Sequence, residues 1–260
     1  MITTQVTDRV IEIVLDAPER LNSLGFGDLE ELATAIRAAA SAVDSGEIGA
    51  LVLRGEGRAF CAGRDISGVD PAEDDVIGYL EGGVETVMRA LSEFPAPTFA
   101  AVQGACLGVG LGLALACDVV YVAERAKLGS PFANLGATLD SGGHWLFTER
   151  LGPHRTLDLI YTAEFMSGRE AVEQGLFSRW VADVELLEFT RVRAAKAASG
   201  ARLAFNASKE LVQQIRDQRV GLWKSMSAEN HAQADLCATE DYREGFASFQ
   251  QKRKPTFTGR

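Results

Sequence analysis

Residues Gly136 to Gly143 read GATLDSGG, and the only charge in this run is the carboxylate of Asp140. A carboxylate among small and apolar neighbours has two uses. It can cap the helix suggested by the following HWLFTERLG, because Asp accepts backbone N–H bonds at helix starts. It can also move a proton, because apolar surroundings raise a carboxyl pKa toward the range of a general acid and base. On these eight residues alone the cap is the simpler reading.

Two other segments could supply the electrostatics that proton transfer needs. FCAGRD (Phe60 to Asp65) and QGACLGVGLGLALACD (Gln103 to Asp118) each put small residues directly after a strand-like run, where backbone N–H groups can approach a ligand. In the second, Gly108, Gly110 and Gly112 lead into a helix, whose first N–H donors are free and lie at the positive end of its dipole. One donor from each loop would form an oxyanion hole. A glycine-rich helix packed against a strand explains the second loop equally well. Neither a dinucleotide-binding GxGxxG in its usual place, a P-loop lysine nor a GxSxG elbow is present.

The elements that must position these residues are legible in the hydrophobic pattern. VIEIVLDAP, GALVLRG, PTFAAVQG and DVVYVAE read as strands. DLEELATAIRAAASAV is an amphipathic helix behind an Asp28 cap, and a second helix spans about Val76 to Phe94. The alternation makes the first two thirds an α/β layer structure with crossovers. SGRE (Ser167 to Glu170) matches a capping box, and from Leu186 to Lys252 the pattern is helical. The expected division is residues 1–200 as core and 201–260 as a helical appendage. Its Leu211, Val212, Ile215, Leu222, Trp223, Met226, Leu236, Phe246 and Phe249 are core or subunit interface, with core the simpler reading.

Composition narrows the class. The 260 residues are 47% hydrophobic with a net charge of −10, which suits a soluble globular protein with a sizeable core and disfavours nucleic-acid or anionic-membrane partners. Cys61, Cys106, Cys117 and Cys237 lack CxxC spacing and read as buried thiols in a reducing compartment. No metal-ligand pattern, signal sequence or membrane-spanning run is present, so a cytoplasmic protein without a metal is expected.

Together the segments resemble the crotonase, or enoyl-CoA hydratase/isomerase, superfamily. The resemblance runs over essentially the whole chain, from APERLNSL (Ala17 to Leu24) through RAFCAGRDI and the glycine-rich block to SGREAVEQGL and YREGFASFQQKRKPTF. It implies a ββα spiral core, a C-terminal helical trimerisation region, a homotrimer or hexamer, and an acyl-CoA thioester as substrate with no further cofactor. It assigns the enolate donors to the N–H groups of Arg64 and Val109. It places CoA against Glu19, Arg20, Leu21, Ala62, Asp65 and Ile66, with Lys252 of a neighbouring chain on a phosphate. Where a typical hydratase of this kind has two glutamates, this chain has Gly112 and Phe132.

Asp140 resembles the carboxylate used by isomerases of the superfamily, most closely the phenylacetate-degradation 2-(1,2-epoxy-1,2-dihydrophenyl)acetyl-CoA isomerase. The resemblance therefore turns Asp140 from cap to catalytic group. An acyl-CoA isomerase is the leading expectation. The alternatives are a hydratase-like lyase, a dehalogenase-type hydrolase with Asp140 as nucleophile, and a non-catalytic acyl-CoA-binding protein. His144, four residues on, reads as a structural helix residue.

Overall fold

The computed structural model describes residues 1–70 and 72–260; Pro71, within the acidic DPAEDD run, lies outside the described residues. Its backbone is a six-stranded sheet in the order β1-β2-β3-β4-β6-β9, beside a three-stranded sheet in the order β5-β7-β8. The strands of the first are β1 (Ile2–Thr7), β2 (Val10–Leu15), β3 (Ala50–Gly55), β4 (Thr98–Val102), β6 (Val119–Ala123) and β9 (Arg179–Val181). Only β1 and β2 run antiparallel. The second sheet holds β5 (Ala105–Leu107), β7 (Lys127–Gly129) and β8 (Met166–Ser167). β2, β3 and β4 read as near-continuous apolar runs because both faces of a parallel sheet are covered, and all but Arg54 of their residues are buried.

The chain visits the two sheets in turn, one strand in each and then a helix. β4 is followed by β5 and α3 (Val109–Ala116), and β6 by β7 and the helices α4 (Gly143–Leu151) and α5 (Pro153–Thr162). Single bridges Cys61–Cys106 and Leu24–Arg64 extend the second layer beyond β5. This is the ββα spiral, and it stacks the Leu24, Arg64 and Leu107 loop segments edge to edge.

Most sequence-predicted elements are present, with four corrections. The first helix, α1 (Phe26–Ser41), begins behind Gly25, and Asp28 sits in its first turn, accepting from Gly25 N–H at 2.8 Å, one turn further in than a cap. The second helical run divides into a π-helical stretch (Gly78–Glu85) and α2 (Thr86–Ser92). Cys61, Cys106 and Cys117 are buried but Cys237 is exposed.

The fourth correction concerns the C-terminal helices that follow α7 (Leu186–Ala198), namely α8 (Arg202–Gln218), α9 (Leu222–Cys237) and α10 (Glu240–Gln250). Their apolar residues are not core. Val212, Trp223 and Phe249 are 63%, 79% and 85% exposed, and α8 meets the rest of the chain through polar groups. Lys209 donates to Phe94 O and pairs with Asp118, while Asn206 and Gln213 donate to Pro95 O and Ser92 O. The capping box at the start of α6 (Gly168–Glu173) forms as read, with Ser167 and Glu170 bonding reciprocally.

Candidate active site

Three loops converge at the edge of the second layer. Asn22, fully buried, accepts from Ala17 N–H and donates to Glu56 O and Ala59 O, which fastens the 17–24 loop onto the chain leaving β3. The 61–65 segment is then paired on both sides. Leu107 N–H donates to Cys61 O and Cys61 N–H to Ala105 O on one edge; Ala62 N–H donates to Leu21 O and Asp65 N–H to Leu24 O on the other. Gly63 O accepts from Leu24 N–H at 2.8 Å.

Within this pairing the N–H of Arg64 has no partner among the described residues, and neither has the N–H of Val109, the first residue of α3. Backbone donors in a folded chain are normally bonded, so two unpaired ones on adjacent loops, at buried Val109 and half-buried Arg64, are free to bond a ligand. The loops are close because residue 63 has no side chain: a Cβ there would lie 3.0 Å from Leu107 O and 3.9 Å from Val109 N, and its φ is +102°. Val109 keeps an ordinary helical backbone, the positive φ of +50° falling on Gly108. The ring of Phe132 packs against Gly108.

The loop of Asp140 reaches α3 by another contact. Gly112 lies one turn along α3 from Val109, and a Cβ on it would stand 2.5 Å from Ser141 Cβ and 2.9 Å from Ser141 O. The bare helix face at Gly112 therefore lets the 139–142 loop lie directly on α3. The cap reading does not hold. Helix α4 starts behind Gly142 without a side-chain cap, and the carboxylate of Asp140 instead accepts from Ser141 Oγ at 2.7 Å. Burial pushes its pKa above the usual carboxylate range, against the opposing pull of the Ser141 hydroxyl and the positive charge of Arg64.

The carboxylate opens into a cavity of about 840 Å³ between the 78–92 helical segment, the end of α3 and α8. Leu80, Val84, Met88, Leu115, Leu139 and Leu146 supply its apolar wall. His144 is also at the cavity, its Nε2 3.1 Å from Thr138 Oγ1.

The residues assigned to CoA divide into two groups. Glu19, Arg20 and Leu21 are brought beside Ala62, Asp65 and Ile66 by the loop pairing, with Arg20 bridging Asp28 at 3.0 Å and Asp65 at 3.2 Å. Lys252 is exposed just past α10 and shares no hydrogen bond or ion pair with either loop in this chain. Sequence reasoning missed Asn22 and Tyr79, and it gave the Arg64 side chain no part. Tyr79 donates to Leu24 O at 2.9 Å, under the Arg64 guanidinium at 4.2 Å from the ring centre. An Arg facing an acidic run ten residues on was the available signal for the Arg64 pairing with Asp74.

Comparison with known proteins settles what this arrangement belongs to. The profile of the family described as "Enoyl-CoA hydratase/isomerase" matches residues 5–260. The chain belongs to this family. A protein of Rhodobacter capsulatus named "Probable enoyl-CoA hydratase" is 35% identical over 98% of this chain and 97% of its own length. The 1,2-epoxyphenylacetyl-CoA isomerase of Escherichia coli is 30% identical over 100% and 98%. The crystal structure of enoyl-CoA hydratase from Bacillus anthracis superposes with a TM-score of 0.90 at 30% identity, covering 100% of this chain and 99% of that one. The crotonase-type α/β fold is thereby established. Among the described residues no cluster of metal-ligating side chains occurs, and no helix is long and apolar enough to cross a membrane.

Proposed function

We propose that this family member is an acyl-CoA isomerase, in which Asp140 carries a proton between two carbons of an unsaturated acyl chain. The single observation behind the proposal is a partly buried carboxylate, with raised pKa, in the loop that Ser141 seats on Gly112 of α3, the helix whose first residue carries an unpaired backbone donor. Asp140 removes the α-proton, and the C–H electron pair becomes a dienolate with its negative charge on the thioester oxygen. The N–H groups of Arg64 and Val109 donate to that oxygen and lower the barrier. Asp140 returns the proton at the γ-carbon, which moves the double bond and restores the thioester.

Two-carboxylate water addition fits less well, since the positions of the hydratase glutamates hold Gly112 and Phe132. A hydratase-like reading remains the rival because the Rhodobacter capsulatus relative bears that name. Family membership lends no support to a non-catalytic binder. The CoA assignments to Glu19, Arg20, Leu21, Ala62, Asp65 and Ile66 belong to the same proposal. So does assembly into a trimer or hexamer, with Lys252 reaching a neighbour's CoA phosphate. The exposed apolar residues of α8–α10, and an apolar cavity of about 490 Å³ at Leu236, Phe246, Phe249 and Phe257, favour assembly.

Incubation with a panel of 2-enoyl-, 3-enoyl- and aryl-CoA thioesters in deuterated water, read by mass spectrometry, tests the reading. Double-bond movement with deuterium uptake is the expected outcome. A mass gain of one water without positional shift, or halide release from a chloroaryl-CoA, would replace it with hydration or substitution.

A further inference from the structure

The Arg64 N–H and the Gly63 carbonyl belong to one planar trans peptide and point in opposite directions, so whatever holds the carbonyl aims the N–H. Leu24 N–H holds that carbonyl at 2.8 Å. Gly63 brings no side chain to fix the peptide, and glycine torsions are the least restricted of any residue. The aim of the donor therefore depends on where Leu24 sits.

Leu24 is held in turn through its own carbonyl, which accepts from Asp65 N–H at 3.0 Å and from Tyr79 O–H at 2.9 Å. The ring of Tyr79 lies under the Arg64 guanidinium, 4.2 Å from the ring centre, and that guanidinium donates to Asp74 through two nitrogens, one at 2.8 Å. These contacts close on themselves. They run from the Arg64 side chain to the Tyr79 ring, from the Tyr79 hydroxyl to Leu24, and from Leu24 N–H to the peptide that carries Arg64 N–H. The Arg64 and Asp74 side chains are 22% and 14% exposed, so solvent screens their pairing weakly. Leu80, next to Tyr79, stands in the wall of the acyl cavity, so the same contacts tie that wall to the donor loop.

We propose that the Arg64 side chain is a positioning residue: clamped between Asp74 and Tyr79, it aims the oxyanion-hole N–H of its own residue. The role presupposes an acyl-CoA thioester in the site and Arg64 N–H as a donor to it. It does not depend on the choice between isomerisation and hydration, because both polarise the same carbonyl.

Butyryl-CoA carrying ¹³C at the thioester carbonyl is bound to the full chain, and its C=O stretch is read by isotope-edited infrared difference spectroscopy. Hydrogen bonding in the hole should lower that frequency in the parent. Arg64→Met, which keeps the backbone N–H and a stem over Tyr79, and Asp74→Asn should each return part of the shift toward the free value. Tyr79→Phe, which keeps the ring and loses the bond to Leu24 O, should do the same and stands in for either variant if it fails to fold. On a substrate that the parent turns over, kcat should fall with the lost shift while KM changes little. The fall should be smaller than the roughly 10²–10³-fold that loss of a whole donor costs. A parental carbonyl frequency in every folded variant would overturn the inference and leave Arg64 as a tether for the acidic loop alone. A parent that leaves the bound carbonyl at its free frequency, or does not bind butyryl-CoA, would remove the oxyanion hole and the inference together. Water addition in place of double-bond movement, with the carbonyl lowered in the parent and restored in the variants, would overturn the isomerase reading and support the Arg64 role.

Discussion

Gly112→Ala is the smallest change that tests whether the 139–142 loop must lie on α3. The new Cβ would sit 2.5 Å from Ser141 Cβ, against the 3.4 Å at which ordinary contact begins, so Ser141 must retreat by 0.9 Å. It has little freedom to do so, since Ser141 and Gly142 already hold positive φ of 51° and 70°. Overpacking costs about 1–3 kcal/mol, and the better helix propensity of Ala returns about 1 kcal/mol. The net loss is on the order of 1 kcal/mol in stability. The effect on turnover is larger, because a displacement of about 1 Å at a reacting group can cost on the order of 100-fold. Thermal melting and turnover on an acyl-CoA substrate are measured beside Gly27→Ala. In α1 a Cβ on Gly27 meets nothing within 4 Å, so this control should gain stability and keep full activity. If Gly112→Ala behaves like Gly27→Ala in both assays, the close packing on α3 is not what positions Asp140.

Three further outcomes follow from the ionic groups and the exposed helices. Glu12, 8% exposed, accepts from Arg54 and Arg191; burial raises its pKa, but the two arginines outweigh burial and hold it below the usual range. Its ionised form therefore stabilises the fold above the unfolded-state pKa, and that contribution is lost as pH falls through the lowered folded-state value. Glu12→Ala should cost about 1–2 kcal/mol at neutral pH, less than a fully buried pair would, because Arg191 is 43% exposed and Arg54 keeps Glu56, which is roughly 2–8 °C in melting temperature for a chain of this size. Asp140 has the opposite sign: with its folded-state pKa raised, stability falls as pH rises from 3.8 through that value. Asp140→Asn should therefore melt higher than the parent at neutral pH, with the difference vanishing in acid. Trp223→Asp with Phe249→Asp should reduce a multi-subunit species to monomer in sedimentation, and a parent already monomeric at all concentrations would remove the assembly proposal.

The strand runs were legible because a parallel sheet covered on both faces demands apolar residues at every position, as in VIEIVL and TFAAV. The Ser167–Glu170 capping box was legible because it is local: both partners lie within four residues. The role of Gly112 was only half legible. Sequence showed that a carboxylate is missing there, but not that Ser141 fills the space. The Tyr79–Leu24 contact and the Asn22 fastening join residues far apart in the chain, and no periodicity announces such pairings. Asp140 was misjudged as a cap on local residues alone because an Asp–Ser–Gly–Gly run has the composition of a helix start; its burial against α3 is set by residues some thirty positions earlier. The C-terminal helices carry the periodicity of buried helices, but whether the partner face belongs to the same chain is not encoded in the pattern.

The central claim is that Asp140 is the proton carrier, and Asp140→Asn tests it most directly. The amide keeps the size of the side chain and an oxygen to accept from Ser141 Oγ, while it cannot take up the substrate proton. With an acyl-CoA thioester that the parent enzyme isomerises in deuterated water, the account predicts that the variant loses on the order of 10²–10⁴ in both isomerisation and deuterium incorporation. Affinity for the thioester, measured by calorimetry on the same samples, should stay close to that of the parent. Isomerisation and exchange at parental rates in Asp140→Asn would contradict it.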